Sequence, residues 1–358
     1  MTETVSIIIP SYNYQGYIAA AVNSALAQTT PCEVIVVDDG STDGSIDVLK
    51  LYGSRIKLIL KDNAGETSAI SMGFWASSGS VIVVLDSDDL LQPHCAETVL
   101  EHFAPGVSKV QYQLKTIDAT GHSSGKLFPH YPVGLTPADV FEVNRTNGDY
   151  PSPPNTGNAF SREFLGQVLP IDDPRFQHFF DGYVNRLAPL YGTVVSLPQV
   201  LGSYRVHSQN YWARQDKFKM WRLYYQHDLD RQEIFERKAR GLGIEVPADA
   251  LRHNLRHIEN RILAFRFDPT EAELTDPYYR VRLGCQALAA AAKAPNVSLI
   301  GRVVWGTYLP VLLVCPAELL RFVLVRTRAS ATKSNWVHNL VAVSKHGLFH
   351  ASSRATKV

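Results

Sequence analysis

The sequence predicts an α/β protein: a mostly parallel sheet with helices on both faces, followed by a mainly helical C-terminal region. Three observations lead there. Over the first 120 residues short apolar runs alternate with stretches of helical periodicity, joined by short connections. The runs are continuous and rich in β-branched residues, as strands buried on both faces are. Beyond residue 212 no strand pattern recurs and the composition becomes helical and charged.

The elements follow in order. Residues 5–10 read as a strand, 16–28 as a helix, and 33–37 as a second strand ending in Asp38 and Asp39. Residues 44–51 read as a helix, 57–61 as a strand and 67–77 as a helix of small residues. The run 81–85 is a strand, and 93–103 a helix opened by Pro93. From 109 to 149 shorter strands and loops are expected. PSPPNTGNAF, 151–160, reads as a loop entering a helix, 177–190 as a helix with Asp181 near its start, and 194–201 as a strand leading to GSYRVHSQNYW. The expected organisation is a first domain at 1–212, in halves 1–105 and 106–212, and a helical region at 213–358.

Charge supports that division. Residues 1–212 carry 12 Lys/Arg against 21 Asp/Glu, whereas 213–358 carry 23 against 13, so the two parts are expected to do different jobs. The four cysteines are scattered without metal spacing and read as reduced, mostly buried thiols of a cytoplasmic protein. MTETVSIIIPSYN runs straight into a strand, and no secretory leader is expected. VVWGTYLPVLLVCPA, 303–317, is uncharged, but its 15 residues fall short of the ~20 that span a bilayer. Seven Lys/Arg and no acid follow Glu318. Two readings stand side by side here: peripheral contact with the inner, anionic membrane surface, and a core or homodimer helix pair with a basic tail.

Candidate chemistry collects at strand ends. In VIVVLDSDDLL, 81–91, Asp86, Asp88 and Asp89 crowd the carboxyl end of an apolar strand. Ligands bind outside such ends, and carboxylates this close are best explained by a cation among them. In VDDGSTDG, 37–44, Ser41 to Asp43 serve as caps, while the paired acids suit a nucleobase N–H or ribose hydroxyls. PSYNY, 10–14, places an aromatic side chain beside them.

Four segments in this order, PSYN, VDDGSTD, NAGETSAISMGFWASSG and LDSDD, resemble the family 2 glycosyltransferases, whose nucleotide-binding half has the GT-A fold. The resemblance covers residues 4–212. It implies a nucleotide-diphosphate sugar donor, held by Pro10, Tyr12, Asp39, Asn63, Asp86 and Ser87, with Asp39 on the base. It implies Mg²⁺ or Mn²⁺ on Asp86 and Asp88, with His207 of YRVHSQN as a third contact. FDGYVNRLAPLYG resembles the segment bearing the family's catalytic base; its usual acidic pair is reduced to Asp181. A second departure is SAISMG, 68–73, where many members carry a phosphate-contacting Arg. The implied activity is inverting transfer of a sugar to the hydroxyl of a glycan or lipid-linked glycan in bacterial polysaccharide or glycoconjugate biosynthesis. A non-catalytic scaffold in a glycan-assembly complex is the alternative. A nucleotidyltransferase would need a basic Gly-rich loop where SYNYQG stands, and the C-terminal bases form no recognised nucleic-acid module.

Overall fold

The computed structural model describes residues 4–210, 216, 218–294 and 297–328. The basic tail beyond 328, much of the aromatic stretch after Asn210 and the expected boundary at 212 lie outside the described residues. The chain divides into two compact units, residues 4–144, 150–206 and 237–242 in the first, and 145–149, 207–236 and 243–328 in the second.

The first unit is built on nine strands in a mixed sheet. Strands β1 (Val5–Ser11), β2 (Cys32–Asp38), β3 (Lys57–Leu60) and β4 (Val81–Val84) pair in parallel in the order β3-β2-β1-β4. Their connections are the helices α1 (Ile18–Leu26), α2 (Ser45–Lys50) and α3 (Glu66–Ala76). Alternation along β1 explains the two-sided burial. Ile7 and Ile9 pack with Ala21, Val22 and Ala25 of α1, whereas Ile8 meets α3 on the other face. A Cβ on Gly73 would lie 2.5 Å from Ile8 Cγ2, so glycine lets α3 sit directly on the strand.

The sheet continues with β8 (Asn158–Ser161), β6 (Val107–Asp118), β9 (Thr193–Val206) and β5 (Leu90–Leu91). β8 pairs antiparallel with both β4 and β6, β6 runs parallel to β9, and β7 (Ser123–Phe128) joins the other side of β6. Helices α4 (Cys95–Leu100), α5 (Pro137–Asn147) up to residue 144, α6 (Arg162–Val168) and α7 (Phe180–Tyr191) complete the unit's main elements. Three features differ from the sequence reading. Residues 137–147 are helical rather than loop, 158–161 form a central strand instead of a helix entry, and β9 is 14 residues long. Both short elements lack strong local patterns, and β8 exists because Ala159 sits between Val83 and Val110, which are remote in sequence.

The second unit is helical among its described residues. It holds α8 (Met220–Gly241) up to residue 236, α9 (Leu255–Phe267), α10 (Glu271–Thr275), α11 (Tyr279–Lys293), α12 (Leu299–Val314) and α13 (Ala317–Arg328). Ile258, Ile262, Leu283, Ala287, Trp305 and Leu309 form its core. Ser298 caps α12 by accepting the Gly301 N–H, and Arg266 donates to the carbonyls of Leu313 and Cys315 at its other end. Contrary to expectation, only Cys95 is fully buried; Cys285 is exposed, and Cys32 and Cys315 are half-buried.

Candidate active site

The ends of β1 and β2 form one edge of the site. Asn13, at φ 59°, turns the chain after β1, and its side-chain oxygen accepts the Thr42 N–H at 2.7 Å. The two acids after β2 have different work. Asp38 accepts the N–H and the hydroxyl of Ser41 at 2.8 and 2.7 Å and closes its own turn. Asp39 reaches across to the loop after β3. It accepts the backbone N–H groups of Ala64 at 3.0 Å and Gly65 at 2.8 Å, and it pairs with the Lys61 ammonium, which also donates to the Asp62 carbonyl. Gly65, at φ 91°, supplies the backbone conformation that this approach needs. Tyr12 is 45% exposed beside this edge, and Asn63 is exposed on the same loop as Gly65.

The second edge is the DSDD turn after β4. The Ser87 hydroxyl donates to the Pro10 carbonyl at 2.5 Å, which ties the turn to the end of β1. Thr156 accepts the Asp86 N–H at 3.1 Å and donates to Asp89 at 2.6 Å. Asp89 is fully buried and also accepts the Arg205 N–H at 2.7 Å, while the Arg205 guanidinium donates to the Asp88 carbonyl at 2.7 Å. The third acid of the motif therefore fastens the turn to β9.

Around Asp86 the structure brings together residues from four separate segments. The Asn155 amide donates to Asp86 at 2.9 Å and to Glu66, in the first turn of α3, at 2.7 Å. Asp181, in the first turn of α7, interacts electrostatically with both. Burial, then Asp88, then Asp181 push the Asp86 carboxyl up to about 7. Burial, followed by Asp86 and Asp181, likewise holds Glu66 well above the usual carboxylate range. Asn155 is 4% exposed, and its side-chain oxygen is buried without a hydrogen-bond partner.

Glu66 and Asn155 are absent from the candidates read from sequence. Glu66 passes locally for a helix-dipole acid, and Asn155 for a loop residue in PSPPNTGN. His207 belongs to the second unit. There its N–H donates to the Asn210 side chain at 2.7 Å, and its Nδ1 accepts the Gln209 N–H at 3.1 Å. Among the described residues, no group of three or more His, Cys, Asp or Glu side chains is arranged as a ready-made metal cage.

Comparison with known proteins covers the strand ends, Glu66 and Asn155 of this site. Residues 6–166 match the sequence model of Glycosyl transferase family 2. An uncharacterized glycosyltransferase of Nostoc sp. is 34% identical over 212 residues, 58% of this chain and 66% of that protein. The TuaG protein of Bacillus subtilis, described as a putative teichuronic acid biosynthesis glycosyltransferase, is 36% identical over 146 residues. Those residues are 38% of this chain and 57% of TuaG. The chondroitin synthase of Pasteurella multocida is 44% identical over 103 residues, 28% of this chain and 11% of the synthase. The chain thus spans under two thirds of the length of each of these relatives. Among solved structures, residues 1–349 of S. aureus TarS share the fold at TM-score 0.54 and 14% identity, covering 89% of this chain and 91% of that one. TarS in complex with UDP superposes at TM-score 0.52 and 16% identity, over 87% and 86% of the two chains.

Proposed function

From a chain that belongs to glycosyl transferase family 2 through residues 6–166, we propose an inverting glycosyltransferase that moves a sugar from a nucleotide diphosphate to a hydroxyl acceptor. The observation that carries this reading is the joining of Asp86 and Glu66 by Asn155, with Asp181 acting electrostatically on both, next to the Asp39 loop. Support comes from the position of Asp86 and Glu66, which follow the parallel strands β4 and β3 at their carboxyl ends, where α/β sheets take ligands.

The residues present fit a hard divalent ion, Mg²⁺ or Mn²⁺. Their donors are all oxygens, their carboxyls repel one another when ionised, and Asn155 offers a further unpartnered oxygen. Asp86 and Asp88 would hold the ion, which when bound would neutralise charge on the departing diphosphate. Asp39 and Lys61 together offer an acceptor and a donor to the base, Tyr12 a face for it to lie on, and Pro10, Asn63 and Ser87 line the donor side. In the transfer step the acceptor oxygen bonds to the anomeric carbon. The bond from that carbon to the diphosphate oxygen breaks and its electron pair leaves with the nucleotide. The acceptor proton passes to Asp181, a general base. The acceptor we propose is a glycan or lipid-linked glycan of bacterial polysaccharide or glycoconjugate synthesis, met at the cytoplasmic face of a membrane.

Thermal unfolding with UDP, GDP, dTDP and CMP, each with and without Mn²⁺, tests the reading, since a ligand of the native state raises its stability. A Mn²⁺-dependent rise with one diphosphate supports it. Folded protein that responds to none of them overturns it in favour of the non-catalytic scaffold.

A further inference from the structure

Helix α12 is apolar on two opposite faces. One face, Trp305, Leu309, Leu312 and Leu313, is buried in the helical core. The other is the stripe Ile300, Val303, Thr307, Val311 and Val314, spaced three, four, four and three residues apart as one side of a helix requires. Its aliphatic members stand open, at 61%, 61%, 54% and 73% exposure. Thr307 does not break the stripe, because its hydroxyl donates back to the carbonyls of Val303 and Val304 at 3.1 and 2.9 Å. On α13, Leu319, Phe322 and Val323 are exposed as well, while Leu320 and Leu324 are buried. Aliphatic side chains exposed at this density along α12 mark a surface made to be covered.

Charge selects the cover. No Lys, Arg, Asp or Glu falls between Arg302 and Glu318, and from residue 319 onward there are seven Lys/Arg and no acid. Among the described residues no helix is long and apolar enough to cross a membrane, so α12 can lie in an interface but not span it. A bilayer bearing anionic headgroups accepts both the aliphatic stripe and the bases.

We propose that the exposed faces of α12 and α13 form a docking surface for an anionic lipid membrane. This deepens the peripheral placement proposed above and rests on the second unit alone.

The test is co-sedimentation of the full chain with vesicles of phosphatidylcholine, and with vesicles of phosphatidylcholine mixed with phosphatidylglycerol. The protein should partition onto the mixed vesicles, release as salt is raised, and leave pure phosphatidylcholine largely unbound. Val303→Glu combined with Val311→Glu changes only exposed positions and should lower partitioning at least ~10-fold while leaving the circular dichroism spectrum unchanged. Three results would overturn the proposal: no binding of the parent chain to mixed vesicles, full binding by the folded double variant, or a parent dimer that the double variant turns into monomer in sedimentation equilibrium. Nucleotide-dependent stabilisation, measured on the same preparations without lipid, reports separately on the donor site.

Discussion

Two uncharged apolar runs in this chain meet opposite fates. Val81 to Leu85 is buried at every position, enclosed between β1 and β8 with helices above and below, and ends in the acids of the site. In α12 every turn has one side in the helical core and one side in water. Hydrophobicity alone does not distinguish them; the number of faces that the surrounding elements cover does. In the first unit apolar residues build a rigid platform for carboxyl groups, and in the second they remain available to a partner.

The sharpest way to break this comparison is to place the same charge in both runs. Val83→Asp buries a carboxylate in the centre of the sheet and should cost several kcal/mol, enough to abolish soluble folded protein. Val303→Asp should change unfolding free energy in urea by under ~0.5 kcal/mol. Equal losses would show that the stripe on α12 is covered after all.

Next in size is the contrast between chemistry and binding within the first unit. Asp181→Asn should lower turnover by ~10² to 10⁴-fold, the range that a general base contributes, while Mn²⁺-dependent nucleotide binding stays within ~2-fold. Retained turnover would remove Asp181 from that role. A smaller effect is expected at Lys61. Lys61→Met takes a donor from the base edge and leaves Asp39 without its cation, so nucleotide affinity should fall by about tenfold by calorimetry. Unchanged affinity would mean the base lies elsewhere.

A further contrast lies in pH dependence, where the two units should have opposite signs. The Asp86 carboxyl is raised from 3.8 to about 7, chiefly by burial, so between these values the native state holds a proton that the unfolded chain has lost. Its contribution to stability is complete below 3.8 and fades as pH rises through 7. His227 on α8 is lowered from 6.5 to about 3, by burial and then by Arg231. Here the unfolded chain takes up the proton first, so stability is complete above 6.5 and fades as pH falls towards 3. Urea midpoints measured across this range should rise on the alkaline side in Asp86→Asn and on the acid side in His227→Gln. Mn²⁺ should also relieve the alkaline loss, and a loss indifferent to both Mn²⁺ and Asp86→Asn would separate it from the site.

Much of the first unit was legible. β1 to β4 were readable because strands buried on both faces leave continuous aliphatic runs, and the helices between them because turn residues and caps punctuate the chain. The acid pairs after β2 and β4 stood out for the same reason, as charge placed at the end of apolar sequence. What local pattern cannot show is which of two neighbouring acids works inward. Asp38 and Asp89 serve the turns, and only their hydrogen bonds to Ser41, Thr156 and Arg205 reveal it.

The sequence by itself determined the parallel half of the sheet, the acidic strand ends and the absence of charge between Arg302 and Glu318, since each is a property of neighbours along the chain. Tertiary structure alone decided that Ala159 would pair with Val83 and Val110, that Asn155 would join Glu66 to Asp86, and that one side of α12 would stay in water. Those outcomes depend on contacts between residues tens of positions apart. The free energy of such contacts comes from the burial and hydrogen bonding that the assembled fold permits, and no window of sequence contains it.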